Sequence, residues 1–374
     1  MTQVHPGLDG VVAAATALSD VDGERGELTI AGYRLQELAP HATFEETTWL
    51  LWHGTLPSAA ELAAFRRELA AARPLAPPTL ALIDACVDAG LDPMDTLRIA
   101  AGTISLGSTE PAAIVAQCPG IVAACWRRRR GAPPVAPHAG LGHAANYLYM
   151  LDGAVPDPER VRALETYLNT VVDHGLNAST FTARVVTSTG SDLVSAVVAA
   201  LGALKGPLHG GAPGPALDMV FEIGEASRAE AILRAKVARE EKLMGFGHRV
   251  YKVRDPRADV LAVAAERLFT RAGDMALYRL AREVEAVALR VLEDHKPWRR
   301  LQTNVEFYTA LLLHGLGLET GLFTPTFAIG RVSGWIAHAA EQQRANRIIR
   351  PQSEYVGPRG RRWTADRPVP AGAG

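Results

Sequence analysis

Three histidines and one carboxylate stand in contexts that suit chemistry better than packing: His174 in DHGLNAST, His209 in GPLHGGA, His248 in MGFGHRVYKVRDPR and Glu306 in TNVEFYT. An imidazole changes charge near neutral pH and can give or take a proton. The glycines beside His209 and His248 let a backbone come close to a ligand. Around His248 lie Arg249, Lys252, Arg254 and Arg257, with Asp255 alone in opposition, so this stretch can hold an anion next to an imidazole. The combination points to acid–base chemistry on a negatively charged substrate.

Each group also has a plain explanation. His209 could be a turn histidine after a helix over 191–204 that Gly206 closes. His174 shares a helix-like segment with Asn177, so both can point the same way, and a buried structural pair would read alike. Glu306 opens an apolar helix, where a carboxylate suits the positive end of the helix dipole. Arg331, which interrupts an apolar stretch, and Arg350, which precedes Pro351, could be surface charges. Their company, more than any single residue, argues for a site.

Helices must position these groups. Apolar residues recur at helical spacing over 43–53, 58–72, 78–89 and 95–107, with Thr43, Ser58 and Asp95 as N-cap candidates. The pattern continues over 112–130, 141–151, 158–172, 191–204, 215–223, 227–242, 258–270, 275–294, 305–316 and 325–344, broken by Pro/Gly loops. Small strands or a hairpin are expected only near the start, around Glu27 to Tyr33. The fold class is therefore mostly α, with no βαβ rhythm of a nucleotide-binding sheet. At 374 residues the chain suits two domains: 1–215 with 321–374 as the larger and 216–320 as the smaller, with Gly/Pro clusters at 209–215 and 315–325 as hinges. A cleft between them would hold His209, His248, Glu306 and Arg331. The tail from Gly357 to Gly374, rich in Arg, Pro and Gly, is expected to be extended or disordered.

Other functions are disfavoured. A net charge of -1 gives no global pull toward nucleic acid, and Arg127 to Arg130, after Trp126, can serve the C-terminal end of a helix as well as a phosphate backbone. Cys86, Cys118 and Cys125 form no C-x-x-C pair, which fits a reducing cytoplasm and neither a disulfide framework nor a zinc ribbon. No histidine–carboxylate cluster has metal-ligand spacing, so no metal is expected. The start lacks a signal-peptide pattern, and the apolar run 193–204 falls short of the roughly 20 residues that span a bilayer.

Taken together, DHGLNASTFTARVV at 173–186, GPLHGGA at 206–212, KLMGFGHRVYKVRDPRA at 242–258 and NVEFYTALLL at 304–313 resemble the citrate synthase family, and the similarity runs from about residue 7 to 358. The resemblance implies a helical homodimer whose large and small domains close over oxaloacetate and acetyl-CoA, with no metal and no permanently bound cofactor. It assigns Glu306 as the base that takes a methyl proton from acetyl-CoA, His209 as the hydrogen-bond donor to the enolate oxygen, and His248 as the acid for the ketone oxygen. His174 would help hold oxaloacetate. Arg257, Arg331 and Arg350 would grip its carboxylates, Arg350 from the partner subunit. CoA would lie along residues 243–248, with Lys252 and Arg299 at its phosphates and Arg300 nearby. The same machinery would serve 2-methylcitrate synthase with propionyl-CoA, and a ligand-binding homologue without turnover is a further alternative.

Two positions depart from the family's pattern. Where NVDFY is usual this chain has Glu306, whose extra methylene moves the carboxylate by about an ångström, a displacement that can cost on the order of 100-fold in rate. The loop after His209 reads GGAPGPAL, where many members carry Asn and an acidic residue after GGA.

Overall fold

The computed structural model describes residues 4–108, 110–210, 213–361 and 363. Gly211 and Ala212, in the loop after His209, and most of the tail beyond Arg361 lie outside the described residues.

The opening segment folds as three antiparallel strands in the order β1 (Ser19–Asp22), β2 (Glu27–Ile30), β3 (Tyr33–Arg34), with Ser19 opposite Ile30. The hairpin expected around Glu27 to Tyr33 is present as β2 and β3, with Ala31 and Gly32 both at positive φ in a two-residue turn. This hairpin supports the site at two points: the Gly23 carbonyl accepts from Lys252 N at 2.9 Å, and the Ser19 hydroxyl reaches Asp173.

The remainder is helical: α1 (Leu35–Leu38), α2 (Phe44–His53), α3 (Ala59–Ala72), α4 (Pro77–Asp88), α5 (Pro93–Ala101), α6 (Pro111–Arg129), α7 (His143–Asp152), α8 (Pro158–Val171), α9 (Ala178–Ser188), α10 (Leu193–Leu204), α11 (Pro213–Ile223), α12 (Ala226–Ala238), α13 (Pro256–Ala272), α14 (Ala276–His295), α15 (Val305–Gly315) and α16 (Phe323–Arg344). Thr43 with Glu46 and Ser58 with Glu61 form reciprocal capping boxes at α2 and α3. The expected cap Asp95 is displaced by Asp92, because Pro93 provides the first helical position and the Asp92 carboxylate accepts from Asp95 N. Helix α9 was not expected. Five of its residues are β-branched and weaken the local preference, and packing against α10 and α16 decides the outcome.

Two helices form the centre. Helix α6 is buried on every side from Ala112 to Cys125, and α16 from Phe323 to Ala339 is nearly so; a helix apolar all round belongs inside a core. Helices α2, α6, α8, α9 and α10 pack on α16, while α12 pairs with α14 and α13 with α15. Helices α13 and α15 also pack on α8. On α16, Gly330 and Gly334 let α8 approach backbone to backbone: a Cβ on Gly334 would overlap the Val172 carbonyl oxygen, and one on Gly330 would come within 2.8 Å of the Val171 side chain.

The arginine run is structural. Arg127 donates to the Pro133 and Leu151 carbonyls, Arg128 pairs with Asp84, Arg129 donates to Leu91 O, and Arg130 pairs with Glu319 while lying over the Trp126 ring. The three cysteines are buried and free. Among the described residues no helix is long and apolar enough to cross a membrane, and no group of three metal-ligating side chains occurs.

Candidate active site

Four segments converge. The first is the loop between α8 and α9, which carries His174. Contrary to the helix-like expectation, His174 and Asn177 are not one turn apart on a helix: α8 ends at Val171, Gly175 has φ +58, and Asn177 is the N-cap of α9, accepting from Thr180 N. Asp173, fully buried, fixes this loop by accepting from the Ser19 hydroxyl, which in turn accepts from Gly175 N. His338 Nδ1 faces Arg184 at 3.0 Å, and its Nε2 faces Asp173 at 3.1 Å. Burial pushes Asp173 up, but His338 and then Arg331 hold it below the usual carboxylate range.

The second segment carries His209. Its Nε2 lies 2.8 Å from Ser179 Oγ and 3.4 Å from Ser179 N. The backbone N–H can only donate, so Nε2 is an acceptor and the ring proton belongs on Nδ1. Ser179 Oγ also accepts from Trp335 Nε1 at 3.1 Å and meets Asn177 Oδ1 at 2.8 Å. Burial, with Arg331 adding to it, lowers His209 to about 4, which keeps the ring neutral at neutral pH.

The third segment is 243–257. Gly245 and Gly247 have φ near +90, and a Cβ on Gly245 would press on Phe307. The loop is pinned to the start of α15, since Gly247 N donates to Gln302 O, Asn304 N to Gly245 O, and Asn304 Nδ2 to Gly247 O. His248 Nδ1 accepts from Val250 N at 3.0 Å and Tyr251 N at 3.1 Å, so the proton of neutral His248 sits on Nε2. Burial and then Arg257 lower His248 to about 4, against Asp255. The His174 and His248 rings meet edge-on, 5.6 Å between centroids, and His174 Nε2 is 3.1 Å from the Tyr251 hydroxyl. Burial first, then Arg257 and Arg331, lowers His174 well below its ordinary value. The charge that looked like lone opposition in the sequence, Asp255, is the pivot: it caps α13, grips Arg257 Nε and Nη2 at 3.0 and 2.7 Å, and accepts from Val305 N at 3.1 Å.

The fourth segment is Glu306 with Arg331. Asn304 caps α15 and accepts from Glu306 N, so Glu306 sits in the first turn, where the helix dipole favours a carboxylate. Burial nonetheless raises it to about 7, opposed by Arg257 and Arg331 and helped by Asp255. Arg331 is 1% exposed, donates from Nε to the Val171 carbonyl, and stacks over Phe327 at 4.7 Å. Burial lowers it to about 10 against the pull of Asp173. Its charge acts on His174, His209 and Glu306 alike.

The structure therefore brings together His174, His209, His248, Arg257, Glu306 and Arg331. It does not bring Arg350 to them: this residue is exposed on the extended segment after α16, where Ile349 N is tied to Ser188 Oγ. Lys252 and Arg299 are exposed, Lys252 Nζ resting near Arg249 O and Arg299 ending a short 3-10 turn. Two cavities, about 290 Å³ beside α8 and α13 and about 590 Å³ beside α3 and the start of α7, include none of these residues in their walls. Sequence reading passed over Ser179, Tyr251, Asn304 and His338. Only Asn304, an N-cap type just ahead of an apolar run, carried a local signal.

Neutral imidazoles with fixed tautomers, two buried guanidinium groups and a carboxylate titrating near neutrality define an α-helical acid–base enzyme site for an anionic substrate. The family described as "Citrate synthase, C-terminal domain" matches residues 7–352. Citrate synthase 2 of Bacillus subtilis is 41% identical over 364 residues, covering 94% of this chain and 95% of its own. The 2-methylcitrate synthase of Mycobacterium tuberculosis is 42% identical over 369 residues, covering 95% and 91%. Among solved structures, citrate synthase from Pyrobaculum aerophilum superposes with a TM-score of 0.88 at 38% identity, covering 96% of this chain and 94% of that one. A ternary complex of carboxymethyl coenzyme A and oxalateacetate with citrate synthase from Thermoplasma acidophilum gives 0.88 at 28% identity, covering 97% and 99%. The chain belongs to the citrate synthase family.

Proposed function

We propose that this site condenses acetyl-CoA with oxaloacetate and hydrolyses the resulting citryl-CoA thioester to citrate and CoA. One observation carries the reading furthest. His248 must bear its proton on Nε2, yet Arg257 Nη2, also a donor, lies 3.2 Å from that atom. Two donors facing one another are satisfied only when an acceptor comes between them, and the ketone and carboxylate oxygens of oxaloacetate supply that acceptor.

In the proposed sequence, Arg257 and Arg331 take the substrate carboxylates, with His174 beside them and Arg350 completing the set from the partner subunit of a homodimer. Glu306 removes a methyl proton from acetyl-CoA. His209 donates from Nδ1 to the enolate oxygen, a neutral donor fixed in advance by Ser179. As the new carbon–carbon bond forms, His248 passes its Nε2 proton to the ketone oxygen, and water then hydrolyses the thioester. Burial helps Glu306, because a carboxylate whose pKa rises to about 7 is a stronger base toward carbon. CoA would run along 243–248, with Lys252 and Arg299 at its phosphates, and closure of 216–320 on the rest of the chain would exclude water. No permanently bound cofactor has a role in this sequence.

The relative named 2-methylcitrate synthase favours propionyl-CoA as a second acyl donor; one methylene is worth only about 1–3 kcal/mol in a pocket. The test is free CoA release, followed with a thiol reagent at saturating oxaloacetate, with acetyl-CoA against propionyl-CoA and wild type against Glu306→Gln. Turnover that falls at least about 100-fold in the variant supports Glu306 as the base, and the ratio of the two thioesters assigns the acyl donor. Oxaloacetate binding without CoA release from either thioester would sink the proposal.

A further inference from the structure

The turn that joins β1 to β2 is held firmly on its own side. Asp22 closes it, its Oδ1 accepting from Glu24 N at 3.0 Å and from Arg25 N at 2.8 Å. Behind the turn β1 pairs with β2, whose Leu28 and Ile30 are buried in the core. Gly23 is the first residue after β1, and its φ lies outside the left-handed region, so its own backbone would accept a side chain. What lies opposite explains the glycine. A Cβ on Gly23 would overlap the Val250 carbonyl oxygen and come within 2.8 Å of the carbonyl carbon, while the Gly23 carbonyl accepts from Lys252 N at 2.9 Å.

Val250 and Tyr251 are the residues whose backbone holds His248: their N–H groups donate to its Nδ1 at 3.0 and 3.1 Å. The peptide unit between them therefore has two contacts. Its N–H, from Tyr251, points at His248, and its C=O, from Val250, lies against Gly23. A peptide unit is planar, so a push on the oxygen carries the N–H with it. The stretch is otherwise weakly held. Arg249, Val250, Lys252 and Val253 are exposed, and the ion pair of Arg249 with Asp9, at 3.4 Å between two exposed side chains, contributes little. The same hairpin sets the other loop. Ser19 and Val21, on one face of β1, meet it: Ser19 Oγ donates to Asp173 and accepts from Gly175 N, and Val21 lies 3.5 Å from where Gly175 would carry a Cβ. One rigid piece thus seats both loops whose imidazoles, His174 and His248, meet edge-on.

We propose that Gly23 is a positioning residue for His248: its missing side chain lets the hairpin turn seat the Val250–Tyr251 peptide, and that peptide aims His248 Nε2 at the substrate oxygen. The inference rests on the reading of His248 as the acid and deepens it.

The experiment compares Gly23→Ala with Gly32→Ala. A methyl group at position 23 must displace one of two surfaces, and the exposed loop yields before the core-anchored hairpin. Gly32, at φ +89 with nothing within 4 Å of a Cβ, gives an alanine that strains the hairpin without touching the loop. Both variants should melt a few degrees lower. Only Gly23→Ala should lower kcat for CoA release, by about 10- to 100-fold, with the oxaloacetate KM changed less than about threefold, because Asp255 and the Val171 carbonyl hold Arg257 and Arg331 independently. Independently of turnover, the His248 Nδ1 resonance in nitrogen NMR, assigned by its loss in His248→Gln, should move in Gly23→Ala and stay in place in Gly32→Ala. Where Gly23→Ala does not fold, Asp22→Ala carries the test, since it loosens the turn without adding an atom and should move the same resonance and lower kcat. A moved resonance beside a wild type that releases no CoA upholds the positioning, and the synthase reading then fails alone. An unmoved resonance, a kcat within about twofold of an active wild type, or an equal loss of kcat in Gly32→Ala overturns the proposal.

Discussion

Ser179→Ala separates two services that one hydroxyl performs. In the wild type Ser179 Oγ is 2.8 Å from His209 Nε2, 2.8 Å from Asn177 Oδ1 and 3.1 Å from Trp335 Nε1. Alanine leaves His209 with only the long 3.4 Å contact from the residue-179 N–H. A hydrogen bond of this kind to a buried group is worth about 1–3 kcal/mol, and its loss leaves the ring orientation held by that long contact alone. If His209 serves as the enolate donor, kcat should fall about 10- to 100-fold with the oxaloacetate KM nearly constant. Trp335, which is 0% exposed, loses its acceptor at the same time, so the melting temperature should drop by a few degrees. The assay is CoA release at saturating substrates beside a thermal melt of the same preparation. Loss of the few degrees with kcat within twofold of wild type would show that the hydroxyl serves Trp335 alone, and the reading of Ser179 Oγ as the support of His209 would be wrong.

Two further outcomes follow from burial and from packing. Glu306 titrates near 7 in the fold against 4.5 for an ordinary glutamate, so its contribution to stability is present below about 4.5 and is lost as pH rises through 7; that displacement corresponds to about 3 kcal/mol. Glu306→Gln should therefore melt well above wild type at pH 8 and close to it near pH 4.5, and a gap that does not widen with pH would mean the carboxylate is hydrated. Gly334→Ala sets a methyl group against the Val172 carbonyl and must push α16 from α8; overpacking of this kind costs about 1–3 kcal/mol and should weaken oxaloacetate binding by calorimetry through displacement of Arg331.

The N-caps Thr43 and Ser58 were legible because each signal lies within one turn of the helix it opens, and Glu46 and Glu61 complete the boxes in the fold. Asp92 was missed in favour of Asp95 for want of weight on Pro93, and α9 was missed because its β-branched residues speak against a helix until α10 and α16 cover them. The side chains that cluster were singled out by type and by neighbouring glycines. Their supports were not, since Asp255 joins Arg257 to Val305, fifty residues away, and His338 reaches Asp173 from 165 residues away. A local reading sees a charge or an apolar-helix histidine there; only the folded chain shows what each one holds.

The spacing of α8 and α16 is set by two absent methyl groups, at Gly330 and Gly334, and not by interlocked side chains. Helices spaced by side chains can repack when a neighbour changes size, and the distance between them drifts. Backbone in contact with backbone has no such slack. The height of the Arg331 guanidinium above Val171 is consequently insulated from variation elsewhere in the core: hydrophobic exchanges around α6, α9 or α10 can alter overall stability while the anion register stays where it is. The fold thus uncouples the part of itself that is free to vary from the part that must not move.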